Sequence, residues 1–146
     1  MGFLALLVDC IRINSAEKKK IHLHHDDHPV IPALKVGRLA VDKNAQGKGV
    51  GSTLIRFSID KALSVADLAG CRLLTLDAYP TKVDWYERRG FVRNHRRSKE
   101  MASAWECPEG CPEHMKVNGE RPVSMWLDFA VDELPDPLKR LDAQPG

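Results

Sequence analysis

The chain has 146 residues, 43% of them hydrophobic and 29% charged, with a formal net charge of +2. That length supports one domain with its own core, and the composition excludes a disordered or fibrous chain. The small net charge gives no argument for nucleic acid from totals alone, and the longest early apolar run, Phe3 to Val8, is too short to span a bilayer.

No basic segment precedes that run, so no signal peptide is expected. Met1-Gly2 is a start for myristoylation, but Leu6 stands where Ser or Thr is wanted. Four cysteines without a secretory signal suit reduced thiols, and the expected location is the cytoplasm.

In chain order, Leu4 to Ile13 reads as a strand. Asn14 to Lys20 is polar and turn-like, and Ile21-His22-Leu23-His24 alternates as a returning strand would, which predicts a hairpin. Val30 to Leu34 leads into a strand, Val36 to Val41. Thr53 to Ala66 has helical spacing, with Val50, Leu54, Ile55, Ala62, Leu63 and Ala66 on one side. Gly70 is placed to cap it. Arg72 to Ala78 is the next strand. Pro80-Thr81 opens a short helix, with Thr81 and Asp84 spaced like a capping box, and Gly90 ends it. Phe91-Val92 begins another strand, Arg93 to Pro122 is irregular, and Val123 to Ala130 reads as the last strand. Pro135 and Pro137 mark a tail. The expected organisation is therefore a single domain over 1–146: a hairpin region at 1–34, a ligand-binding core at 35–92, an insertion at 93–122, a last strand at 123–131 and a tail at 132–146.

The informative stretch joins the strand Val36-Gly37-Arg38-Leu39-Ala40-Val41 to Gln46-Gly47-Lys48-Gly49-Val50-Gly51-Ser52 and then to the long helix. Glycines at alternate positions leave room for a ligand beside the backbone. The N–H groups that follow stand at a helix start, where unpaired donors and the helix dipole favour an anion. The loop is not a Walker sequence, and the spacing Gly47-x-Gly49-x-Gly51 is not the dinucleotide fingerprint.

With Gln46, Gly49 and Gly51 in place, the loop resembles the Gln/Arg-x-x-Gly-x-Gly/Ala signature of the GCN5-related N-acetyltransferases (GNAT). About one helix and one strand later, Trp85-Tyr86-Glu87-Arg88-Arg89-Gly90-Phe91 resembles that family's Phe-Tyr-Glu-x-x-Gly-Phe segment. The resemblance covers Pro32 to Val92 well and the strand near Trp126 more loosely. It implies an α/β fold with a mixed, mostly antiparallel sheet flanked by helices, and two central parallel strands that splay to admit acetyl-CoA. It further implies that the backbone of Leu39, Ala40 and Val41 pairs with the pantetheine arm. The main chain from Gln46 through Gly47, Lys48, Gly49, Val50, Gly51 and Ser52 would hold the diphosphate. The family usually carries a strand and two helices before the hairpin; here 35 residues precede Val36.

The implied reaction is direct transfer of an acetyl group from acetyl-CoA to a primary amine. Tyr86 is then the candidate general acid, since a phenol of pKa near 10 is protonated at neutral pH and can donate to a departing thiolate. The alternative for Tyr86 is packing of its helix against the sheet. Tyr79 is a rival phenol. Asp42 and Asp77 are carboxylates near the expected cleft, read as either a general base or capping residues. Arg88, Arg89, Arg93, His95, Arg96, Arg97 and Lys99 form a basic cluster, read as a solvated face, a contact to the 3′-phosphate of coenzyme A, or an RNA-facing patch. The last suits the toxin branch of the family, which acetylates aminoacyl-tRNA and which Arg38-Leu39-Ala40-Val41-Asp42 also resembles. A general amine acceptor is the favoured expectation, with aminoacyl-tRNA and a non-catalytic acyl-CoA-binding module as alternatives, and RNA not favoured as a partner. A homodimer is left open.

Cys107, Cys111 and His114, and His22, His24, His25 and His28, are clusters of metal-ligand type. A structural zinc site wants four ligands and usually a tighter cysteine spacing, and loops carry histidines without metal, so no metal is expected, with zinc at Cys107, Cys111 and His114 as the alternative. Cys10 and Cys71 read as buried apolar residues.

Overall fold

The computed structural model describes residues 1–20, 30–94 and 122–129. Strand β1 (Gly2–Ile11) is followed by helix α1 (Ser15–Lys20), strand β2 (Ile31–Val41) and helix α2 (Val50–Ala69). Strand β3 (Leu73–Ala78), helix α3 (Val83–Glu87), strand β4 (Val92–Arg93) and strand β5 (Val123–Asp128) complete the order. Single 3-10 turns at Lys43–Ala45 and Pro80–Lys82 precede α2 and α3. None of the helices among the described residues is long and apolar enough to cross a membrane.

Among the described residues the sheet has five strands in the order β1-β2-β3-β5-β4. Of these, β2 and β3 pair in parallel and the other three pairs are antiparallel. The expected mixed, largely antiparallel sheet is what the chain forms. β1 pairs along its length with β2, from Gly2–Val41 to Ile11–Ile31. The returning strand expected at Ile21–His24 lies outside the described residues.

Asn14 to Lys20 is not a plain turn. The Asn14 side chain accepts from the Glu17 N–H and the Glu17 carboxylate accepts from the Asn14 N–H, each at 2.8 Å, a reciprocal cap that starts α1. The capping box read at Thr81 and Asp84 does not form. Lys82 is the N-cap residue of α3 and makes no side-chain cap.

Two apolar layers sandwich the sheet. On one face α2 buries Ile55, Ile59 and Ala62 against Leu34, Val36, Leu74, Leu76, Met125 and Leu127, joined by Val83 and Phe91. Ile55 and Ile59 are fully buried, each contributing about 1.5–3 kcal/mol of transfer free energy. The buried stripe also takes in Ser52 and Ser58, while Leu63 is exposed. The sequence pattern thus places the apolar face one step too far round, because a serine that bonds its own helix can be buried. Ser58 does so, its Oγ donating to the Leu54 carbonyl at 2.9 Å. On the other face Ile11, Ile13, Ile31, Ala33, Leu73 and Trp126 cluster. Cys71 is buried as expected, but Cys10 is exposed.

Candidate functional site

The site begins where the two parallel strands part. β2 and β3 pair at Ala33–Leu73, Leu34–Leu74, Lys35–Thr75 and Val36–Leu76, and there the pairing stops. Beyond it β2 runs on to Val41 against β1, and β3 runs on to Ala78 against β5. The register of β1 on β2 shifts between Ala5 and Leu6, which pair with Arg38 and Val36 and leave Gly37 as the extra residue. A bulge bends and twists its strand, so β2 turns away from β3 one residue after their last pair. Leu39, Ala40 and Val41 therefore lie on the arm of β2 that borders the opening, with no strand on the β3 side among the described residues.

The glycine loop closes the end of this split. Asp42 caps the turn at Lys43–Ala45, accepting from the Asn44 N–H at 2.8 Å. That places Asp42 as a capping carboxylate of this turn. Gln46 Nε2 donates to the Val41 carbonyl at 3.1 Å, so its side chain ties the loop to the last residue of β2. Gly47 and Gly49 have φ of 75° and 82°, and an added Cβ at either would meet no atom within 4 Å. These positions need glycine for backbone conformation, and they face open space. Gly49 is the N-cap residue of α2, and the first intrahelical bond runs from the Thr53 N–H to the Gly49 carbonyl at 3.0 Å. The N–H groups of Val50, Gly51 and Ser52 have no partner within the helix, and the 20-residue α2 adds its dipole behind them. A diphosphate fits this cradle: open, main-chain-lined and positively polarised.

Gly51 needs glycine for a different reason. A Cβ there would lie 3.0 Å from Cζ2 of Trp85 and 3.3 Å from Cη2. The start of α2 is packed directly on α3, the helix that carries Tyr86. Trp85 meets Tyr86 edge to face at 4.9 Å, and Tyr86 meets Phe91 likewise at 5.6 Å. The Tyr86 carbonyl accepts from the N–H groups of Arg89 and Phe91 at 2.9 and 3.2 Å, which closes the helix onto β4. The Tyr86 ring packs against the core, yet its hydroxyl has no hydrogen-bond partner among the described residues. Burial raises the Tyr86 phenol above its ordinary value, with the Arg89 guanidinium pulling the other way. It is therefore protonated throughout the neutral range.

Arg89 belongs by sequence to a basic cluster, but its side chain is partly buried against α2 and α3. Its Nε and Nη2 donate to Ser52 Oγ at 3.1 and 2.8 Å, and Nη1 donates to the Trp85 carbonyl at 2.8 Å. Its guanidinium carbon lies 3.5 Å from the Trp85 ring centroid. Arg93 is paired with Glu87 at 2.7 Å, and Arg88 is exposed. The described members of the cluster do not share one role; His95, Arg96, Arg97 and Lys99 lie outside the described residues. So do both metal-ligand clusters.

Asp77 and Lys35 occupy the opposite face of the split. Asp77 is one residue past the last parallel pair and accepts a hydrogen bond from Lys35 Nζ at 2.6 Å. Beside them Thr75 donates to Asp9 at 2.8 Å. Tyr79 is partly exposed, and its carbonyl accepts from the Lys82 N–H in the turn before α3. The structure thus brings Leu39 to Val41, Gln46 to Ser52 and Tyr86 to one region. It sets Asp77 across the sheet from Tyr86 and sends Asp42 to a cap.

The profile of the Acetyltransferase (GNAT) domain matches residues 6–93. The chain belongs to the GNAT acetyltransferase family. The GNAT match runs from within β1 to the end of β4 and leaves β5 outside it. Over 48 residues the chain is 40% identical to the tRNA-acetylating toxin of Mycobacterium tuberculosis (strain ATCC 25618 / H37Rv), a stretch of 33% of this chain and 29% of that toxin. Its fold is similar to that of AtaT complexed with acetyl-methionyl-tRNAfMet, with a TM-score of 0.56 at 23% identity over 70% of this chain and 66% of that one. It is also similar to AtaTR bound with AcCoA, with a TM-score of 0.53 at 19% identity over 97% of this chain and 66% of that one. The chain thus spans under a third of the curated toxin and 66% of each of these structures.

Proposed function

We propose that this chain transfers the acetyl group of acetyl-CoA to the amino group of aminoacyl-tRNA. The observation that carries the donor half is the parting of β2 and β3 after Val36–Leu76, with the start of α2 at the end of the gap. Main-chain groups of Leu39, Ala40 and Val41 line one side for an extended pantetheine arm, and the loop from Gln46 to Ser52 receives the diphosphate. AtaTR, of similar fold, is described with AcCoA bound. Support for the acceptor comes from the relatives: a matching curated protein is a tRNA-acetylating toxin, and AtaT is described with acetyl-methionyl-tRNAfMet. This departs from the general amine favoured on sequence, where the modest net charge weighed against RNA.

The chemistry follows from the geometry. The neutral amine attacks the thioester carbonyl, forming the C–N bond and a tetrahedral intermediate. The C–S bond then breaks, and Tyr86 gives its phenolic proton to the departing thiolate of coenzyme A. The proton lost by the amine returns to Tyr86 through water, which balances the reaction. Holding both substrates in the split supplies the proximity term, and main-chain donors on β2 polarise the carbonyl. Asp77 stands on the other face from Tyr86, on the side where an amine would approach if the thiolate leaves toward α3. Its carboxylate suits accepting a hydrogen bond from the N–H of a neutral amine, as it accepts one from Lys35 Nζ here.

Calorimetric titration with acetyl-CoA, beside Gly49→Glu, tests the donor half. Gly49→Glu puts a side chain and a negative charge into the open cradle and is expected to abolish micromolar binding. Absence of binding by the intact, folded chain would refute the donor site. Mass spectrometry of aminoacyl-tRNA and of small primary amines after incubation with acetyl-CoA tests the acceptor. Acetylation of small amines but not of charged tRNA would overturn the tRNA reading. Tyr86→Phe is expected to lower the rate by about 10²–10⁴-fold with coenzyme affinity retained.

A further inference from the structure

The geometry points to Arg89 as a positioning residue that locks the donor loop and the acid-bearing helix into one unit, through Ser52 and Trp85. This rests on the reading of Tyr86 as the general acid. Three linked contacts carry it. Arg89 clasps Ser52 Oγ with Nε and Nη2 at 3.1 and 2.8 Å, and Ser52 is the third residue of α2, at the end expected to receive the diphosphate. The same guanidinium lies on the Trp85 ring at 3.5 Å and donates to the Trp85 carbonyl at 2.8 Å. Trp85 in turn abuts Gly51, so a side chain there would overlap its ring at 3.0 Å.

The arrangement has two consequences. A hydroxyl offers one donor and two acceptor lone pairs. Arg89 occupies the acceptor side of Ser52, and no described atom accepts the Ser52 hydrogen. The hydroxyl therefore remains a donor at the start of α2, with a cation behind it, and an anion on the loop can take that hydrogen bond. The second consequence concerns Tyr86, three residues before Arg89 on the same chain. Trp85 and Phe91 meet its ring edge to face, and among the described residues Arg89 is the charged group acting on it. One side chain thus ties the end of α2 that would receive the diphosphate to the helix that carries the phenol. A lysine cannot replace it, since an ammonium lacks the planar fork and stacks poorly.

The chain has two tyrosines, so Tyr79→Phe leaves Tyr86 as the single phenol for ultraviolet titration. In that background Tyr86 is expected to ionise above its ordinary value, and Arg89→Met to move the midpoint further up. Arg89→Lys keeps a charge and is expected to restore most of that midpoint. It does not restore the clasp, so acetyl-CoA binding is expected to weaken about tenfold in both Arg89 variants, the usual size of a lost charge-assisted hydrogen bond. Ser52→Ala is expected to weaken binding similarly while leaving the Tyr86 midpoint in place. Circular dichroism checks that each variant is folded, and where Arg89→Met is not, Arg89→Lys and Ser52→Ala carry the test. An unchanged affinity in Arg89→Lys and Ser52→Ala, or an unmoved Tyr86 midpoint in folded Arg89→Met, overturns the inference. These readouts do not need turnover. A wild-type chain that binds acetyl-CoA but acetylates nothing refutes the catalytic reading, and the affinity and titration results still decide the role of Arg89.

Discussion

The contact between Gly51 and Trp85 allows a quantitative test of how the donor loop is built. A methyl at Gly51 would stand 3.0 and 3.3 Å from two Trp85 ring carbons. Carbon pairs prefer about 3.5–4.0 Å, so the ring would have to retreat by roughly 0.5 Å or more. It cannot do so freely, because Arg89 lies on the ring at 3.5 Å. Overpacking of this kind costs about 1–3 kcal/mol. Gly49→Ala should cost a comparable 1–2 kcal/mol or so, but from backbone strain at φ 82°, since open space surrounds that position. The assay is urea unfolding of both alanine variants in the native chain and in a Trp85→Leu background. With a smaller side chain at position 85, most of the Gly51→Ala cost should vanish, a coupling of about 1 kcal/mol or more. The Gly49→Ala cost should stay the same in both backgrounds. Equal Gly51→Ala costs with and without the tryptophan ring would refute the packing argument and detach α3 from the loop.

Other outcomes follow from the same structure. Asn14→Ala and Glu17→Ala should each lower stability by about 1 kcal/mol, and the double variant by less than the sum, because each removes the same reciprocal cap; thermal unfolding checks this. Burial raises both the Cys71 thiol and the Tyr86 phenol above their ordinary values of 9.0 and 10.0. The folded state therefore holds protons that the unfolded chain gives up first. Stability is fully present below about pH 9 and should fall as pH rises through the folded values, which urea midpoints measured across the alkaline range will show. Alkylation followed by peptide mapping should label exposed Cys10 rapidly and Cys71 only on unfolding. Asp77→Asn should cost stability little, since the Lys35 pair is partly exposed. It should raise the KM for the amine acceptor and leave acetyl-CoA affinity unchanged; an unaltered KM would remove Asp77 from the acceptor site.

Local sequence was enough for the elements whose causes are local. The apolar run into alternating glycines and then a 3.6-residue period can only be a strand, a loop and a helix, and Gly70 ends that helix in a left-handed conformation as glycine allows. The loop proposed to hold the donor was legible because its shape resides in the main chain, where Gly47 and Gly49 take left-handed conformations. The reciprocal cap at Asn14 and Glu17 was equally local, with the Asn-x-x-Glu spacing in plain view, but the lysines after it read as a turn. What sequence could not decide was direction. Arg88, Arg89 and Arg93 are alike in composition, yet one is solvated, one clasps Ser52 and one pairs with Glu87. Those partners are set by which helix packs on which, and Ser52 and Arg89 are 37 residues apart. Asp42 and Asp77 were likewise equivalent until one faced its own turn and the other a lysine on the neighbouring strand. The split itself is tertiary in origin. Strands β2 and β3 could pair further by pattern alone, but their pairing ends at Val36–Leu76, next to the register shift of β1 at Ala5 and Leu6, where a bulge bends its strand. The sequence by itself determined which backbone would turn through glycines into the start of a helix. The sheet decided that the groove beside it would open, and the packing of α3 on α2 decided which side chains would face it.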